Sequence, residues 1–239
     1  MIIRKNSRIF AALLVAMCFA ACDEGDIIES DEGTQTAGKV AQLTASVTGI
    51  DSWSSQYSLV LAGFAEGSST AVVQKRLQVA DGEAFATTLD LTRDDISTLE
   101  LCITNRLRER IVSFYSLPVS QTTGDTIRLQ AGRIDVGMFK AIQDLVFTGT
   151  CARCHGLGAS PAGTLTLVEG QSYSQLVGHE ARLPENGLRV VPGDASQSLL
   201  HKVIHGDPDA GVRFDHANMI KEQTTITLID NWINAGAKE

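Results

Sequence analysis

Between residues 39 and 136, short stretches of alternating apolar and polar residues are broken at Gly, Asp, Ser and Asn. Period-two alternation rich in Val, Ile, Leu, Thr and Tyr predicts half-buried strands. They fall at 40–48, 57–65, 71–79, 84–89, 98–104, 111–117 and 126–136, with Asp81-Gly82 and Gly124-Asp125 among the turn signals. Seven such strands in about a hundred residues predict an all-β sandwich of immunoglobulin-like type. Cys102 sits between Leu101 and Ile103 in one of them and is expected as a buried free thiol with no chemistry.

At Met138 the period changes. Met138, Phe139, Ile142, Leu145 and Val146 recur at helical spacing and lead directly into Cys151. Near the C-terminus Thr224 or Thr225 can cap a helix whose apolar face carries Ile226, Ile229, Trp232 and Ile233, with Gly236 placed to stop it. A mainly helical second half is therefore expected over 137–239, following a β-domain over 39–136.

The N-terminus has a different character. Arg4, Lys5 and Arg8 precede an uninterrupted apolar run over 9–21, too short for a comfortable membrane span and typical of a cleaved secretory signal. Phe19-Ala20-Ala21-Cys22 resembles the lipobox of bacterial lipoproteins, which implies a signal peptide over 1–21 and a lipid on Cys22. Residues 22–38 lack hydrophobic periodicity and hold Asp23, Glu24, Asp26, Glu29, Asp31 and Glu32, as expected of an acidic flexible tether. In some bacteria such an acidic stretch resembles a signal for surface display. The expected location is the bacterial cell envelope, with membrane attachment through the lipid on Cys22, facing the periplasm or the cell surface.

Composition narrows the function classes. Hydrophobic residues make up 44% and charged residues 20%, as in a globular protein. Loss of residues 1–21 removes three basic residues and no acid, leaving 17 basic against 28 acidic residues and a formal charge of -11. Without clustered Lys and Arg, nucleic acid is not an expected partner.

The chemistry-bearing motif is Cys151-Ala152-Arg153-Cys154-His155, the CxxCH pattern of c-type haem attachment. Two thiols at this spacing can add across the two vinyl groups of a haem, and the adjoining His is positioned to ligate iron. Two other uses of the pattern compete. A redox CxxC motif calls for a βαβ context that is not found here. A zinc site needs further ligands, for which His201 and His205 offer an i, i+4 pair.

Around the motif the chain resembles the small c-type cytochrome domains of exported bacterial proteins. Four landmarks carry the resemblance: the helix with Phe139 and Val146 leading to CxxCH, Thr164 to Val168, Val190-Val191-Pro192-Gly193 followed by Ser198-Leu199-Leu200, and Trp232-Ile233-Asn234-Ala235-Gly236-Ala237. The resemblance implies an all-α cytochrome c domain with one covalent haem c on Cys151 and Cys154. His155 would be the proximal iron ligand, and Pro192 would stand on that proximal side. The family's Met before the final helix would fall near Phe214, which cannot ligate iron. Met219 ranks first as distal ligand, His216 second and an open position third, while His179, His201 and His205 are reserve candidates.

The distal ligand governs function, because a sixth protein ligand suits electron transfer and an open position admits small molecules. The expected function is one-electron transfer with a redox partner protein, rather than enzymatic turnover. Two alternatives remain: a haem-based enzyme or gas sensor with an open distal site, and a partner-binding lipoprotein whose β-domain is the working part.

Overall fold

The computed structural model describes residues 38–122, 124–158 and 160–239. Cys22, the signal peptide and nearly all of the tether lie outside the described residues.

The seven expected strands form. They are β1 (Lys39–Thr48), β2 (Ser58–Phe64), β3 (Ala71–Arg76), β4 (Ala84–Leu91), β5 (Thr98–Thr104), β6 (Arg110–Pro118) and β7 (Thr126–Asp135). Two sheets result, ordered β4-β1-β7 and β3-β2-β5-β6. All pairings are antiparallel except β1 with β7, which run parallel with a register shift between Thr44 and Ala45. The immunoglobulin constant-type order puts strands A, B, E and D on one sheet and C, F and G on the other. Here the first strand is instead central, between the fourth and the seventh.

Alternation accounts for the packing. Ala41, Leu43, Ala45 and Val47 of β1 and Ile127 and Leu129 of β7 point into the sandwich and are buried, while the residues between them are mostly exposed. Burying one such aliphatic side chain contributes about 1.5–3 kcal/mol. Strands β2 and β5 are buried on both faces: Leu59, Leu61, Leu99, Leu101 and Ile103 join the main core, and Val60, Ala62, Phe64 and Cys102 form a second cluster. The Arg110 guanidinium lies 4.8 Å above the Phe64 ring. Cys102 is a free, fully buried thiol whose titration burial pushes far up.

The second half departs from the expected all-α cytochrome c domain. The described chain is mostly β, and its remaining helices are short. Helix α1 (Met138–Ile142) runs into a π-helical turn (Gln143–Thr148), α2 is Ser172–Leu176, α3 is Leu199–Ile204, and only α4 (Gln223–Asn234) exceeds two turns. The physical reason is punctuation. Between α1 and α4 the chain meets Gly156, Gly158, Pro161, Gly163, Gly170, Gly178, Pro184, Gly187, Pro192 and Gly193, so no helical run can lengthen. The helical periodicity of the two bracketing segments forms α1 and α4 but does not extend through the chain between them.

These short elements pack into the same hydrophobic cluster as the sandwich. Phe139 of α1 packs on Trp232 of α4, ring centres 5.1 Å apart, and on Tyr173 at 5.2 Å. Those residues belong to the same hydrophobic cluster as the inner face of the sandwich, joined through Val136 and Met138. At the junction Gly49 holds a left-handed φ of 81°, and a Cβ there would stand 2.7 Å from the backbone of Gly137. Ser52 Oγ accepts from the Met138 N–H at 2.8 Å, and the Trp53 indole N–H donates to the Val136 carbonyl. Among the described residues no helix is long and apolar enough to cross a membrane.

Candidate functional site

The turn after α1 gathers the CxxCH residues. Cys151–Arg153 forms a 3-10 turn. The N–H groups of Cys154 and His155 both donate to the Cys151 carbonyl, at 3.1 and 2.9 Å. Spacings of i, i+3 and i+4 in one helical turn set Cys151, Cys154 and His155 on a common side. Gly156 closes the turn, and a methyl group in its place would collide with the Ala152 carbonyl. Neither thiol is in a disulfide; Cys151 is half-buried and Cys154 exposed. Burial, aided by the neighbouring Cys154, pushes the Cys151 thiol up to about 11.

His155 is held at three points. Its N–H is tied to Cys151, its carbonyl accepts from the Leu167 N–H at 2.6 Å, and its ring Nδ1 lies 2.8 Å from the Ala162 carbonyl. A carbonyl only accepts, so Nδ1 carries the proton and Nε2 presents a lone pair. Burial lowers the His155 pKa, the Ala162 carbonyl opposes that shift, and the facing His216 adds to it. The acceptor that orients the ring is thus the Ala162 carbonyl.

The ring facing His155 is that of His216. Their centres are 6.2 Å apart and their planes 23° from parallel. His216 repeats the same arrangement, with Nδ1 3.0 Å from the Phe214 carbonyl. Phe214 cannot be a ligand, yet its backbone orients His216 and its ring meets the imidazole edge-on at 5.0 Å. Met219 stands in the following 3-10 turn, its N–H donating to the His216 carbonyl at 3.0 Å and its side chain 40% exposed. Leu157, two residues after His155, and Phe214 are also exposed apolar groups.

Two sequence landmarks meet behind this site. Ser198 Oγ accepts from the Val191 N–H at 2.8 Å and donates to the Asp194 carbonyl. The Gly193 N–H then donates to the Ile233 carbonyl at the end of α4, and the Trp232 indole N–H to the Lys238 carbonyl. Residue patterns did not single out Arg189. It is 5% exposed, and its guanidinium donates to the Gln175 carbonyl at 2.8 Å and the Thr164 carbonyl at 3.3 Å. It thereby ties α2 to the turn that begins at Ala162.

The other histidines lie apart from the thiols in their bonding. His179 is exposed, with Nδ1 2.9 Å from the Glu180 carbonyl. His201 and His205 converge on Asp230 of α4 rather than on the cysteines.

The donor set can be tested against a haem. The His155 and His216 rings lie near one another with near-parallel planes, and each has its Nδ1 engaged by a carbonyl, the second-layer contact that orients metal-binding imidazoles. Two thiols on the same turn and exposed apolar side chains beside the pair complete a set of residues that fits the group. No protein family, curated protein or solved structure matches this chain.

Proposed function

We propose that this chain carries one covalently attached haem c and serves as a one-electron carrier of the bacterial cell envelope. The observation that supports this most is the pair of imidazoles, each with Nδ1 held by a backbone carbonyl, one of them adjoining two thiols on a single turn.

Cys151 and Cys154 would hold the group, each S–H adding across a vinyl C=C so that sulfur bonds one carbon and the proton the other. His155 and His216 would hold the iron. The bound haem supplies a centre that gains and loses a single electron. The protein fixes both imidazoles in one tautomer through Ala162 and Phe214, which limits reorganisation between oxidation states. Phe214, edge-on against His216, would offer apolar surface beside the group. The partner is a redox protein, and the acidic surface selects one of opposite charge. Attachment through a lipid on Cys22 keeps the carrier at the membrane.

The test is optical. Protein matured with haem-attachment machinery should show a covalent c-type haem with a low-spin spectrum in both oxidation states. Loss of Cys151 and Cys154 should abolish covalent haem. His216→Ala should become high-spin and bind carbon monoxide rapidly, whereas Met219→Ala should keep the low-spin spectrum. Covalent haem that persists without the two cysteines would overturn the proposal, and a low-spin spectrum lost only in Met219→Ala would overturn the ligand assignment.

A further inference from the structure

Away from the thiols, three side chains converge where α3 meets α4. His201 lies on α3 and His205 at its C-terminal end, one helical turn apart, with the His205 N–H donating to the His201 carbonyl at 3.0 Å. Their rings are 4.1 Å apart centre to centre. Asp230, on the facing side of α4, divides its carboxylate between them: Oδ1 lies 2.7 Å from His201 Nδ1 and Oδ2 lies 2.8 Å from His205 Nε2.

One candidate ligand atom from each residue can be chosen so that all three lie within 4.8 Å of one another. Tetrahedral zinc with bonds of about 2.0–2.1 Å separates its ligands by about 3.4 Å, so closure needs only side-chain adjustment. The three side chains are 28%, 36% and 19% exposed, which leaves a side open to water.

We propose that His201, His205 and Asp230 bind a divalent transition metal, with zinc as the best-matched ion. Two imidazole nitrogens and one carboxylate oxygen form the two-histidine, one-carboxylate set that zinc takes with water in the fourth position. The same set disfavours calcium and magnesium, which select oxygen ligands. The arrangement follows from the fold: the i, i+4 spacing aligns the two imidazoles, and packing of α3 on α4 delivers the carboxylate across from them. A plain structural clamp explains the hydrogen bonds equally well but takes no metal, so metal affinity separates the two.

The site shares no residue with the thiol turn, and its test is independent of haem. Metal-stripped, haem-loaded protein is titrated with zinc by calorimetry, and the full chain carrying Cys151→Ser and Cys154→Ser is titrated in parallel so that the thiol pair of the CxxCH turn cannot bind the ion. Both should take up one equivalent and gain thermal stability. His201→Ala and Asp230→Asn should each weaken binding at least about tenfold. His179→Ala should leave it unchanged. Asp230→Asn keeps the side-chain shape and one acceptor oxygen, so a preserved circular dichroism spectrum separates ligand loss from misfolding. Absence of saturable zinc binding, or binding unaltered by His201→Ala and Asp230→Asn in folded protein, would overturn the site. Failure of haem attachment would leave the calorimetric result of the chain lacking Cys151 and Cys154 intact.

Discussion

The Asn231 side-chain amide of α4 donates to the Tyr57 hydroxyl at 2.8 Å, although 174 residues separate the two in sequence. Tyr57 is 9% exposed, and Trp53 stands edge-on against its ring at 5.3 Å. One phenol thus joins the entrance of β2 to the longest helix of the second half.

Burial raises the Tyr57 pKa above its usual value, against the opposing hydrogen bond from Asn231. The folded protein therefore keeps the phenolic proton at a pH where the unfolded chain has begun to release it. The contribution is fully present below about pH 10 and is lost as pH rises above that value. Urea unfolding should show stability falling on the alkaline side, and Tyr57→Phe should flatten that slope while costing about 1 kcal/mol at neutral pH.

Gly156 and Gly158 provide a matched pair. A Cβ at Gly156 meets the Ala152 carbonyl, whereas one at Gly158 meets nothing within 4 Å. Gly156→Ala should destabilise the fold by about 1–3 kcal/mol and lower covalent haem yield. Gly158→Ala should stay within about 0.5 kcal/mol by chemical denaturation.

Arg189 braces the turn that orients His155. Arg189→Leu would remove the donor from the carbonyls of the half-buried Gln175 and of Thr164. The expected loss is about 1–3 kcal/mol. Faster solvent exchange of the His155 Nδ1 proton, followed by NMR, would distinguish loosening of this turn from a uniform loss of stability.

Before haem addition the thiols should differ in reactivity. Cys154 is exposed, whereas the half-buried Cys151 is pushed up to about 11 and presents little thiolate near neutrality. Alkylation mapped by mass spectrometry at pH 8 should modify Cys154 first, with Cys151 at least about tenfold slower than an unhindered cysteine. Cys102, fully buried, should react only on unfolding. Equal rates at Cys151 and Cys154 would contradict the burial seen here.

The sandwich was legible because its strands announce themselves locally: Ala41, Leu43, Ala45 and Val47 alternate with polar residues, and Asp81-Gly82 marks a turn. The first and last helices were legible for the same reason at a different period. Strand order was not, since nothing in a single strand tells that β1 lies parallel to β7. In the second half the all-α fold that the resemblance implied did not form, because glycines and prolines between α1 and α4 keep the helices short. The CxxCH turn was readable from residue types, but its orienting group, the Ala162 carbonyl, is backbone and has no residue signature. His201 and His205 were visible as an i, i+4 pair; Asp230 was not, because only the packing of α3 on α4 brings it to them.

The continuous core from β1 to α4 bears on how the role of the sandwich can be approached. A cut between Asp135 and Met138 would open the hydrophobic cluster to which both halves contribute, so a truncated half would expose apolar surface and aggregate rather than report on its own activity. The two halves should melt in one transition, and surface substitutions on the sheets, rather than deletions, are the means of asking what the sandwich contributes.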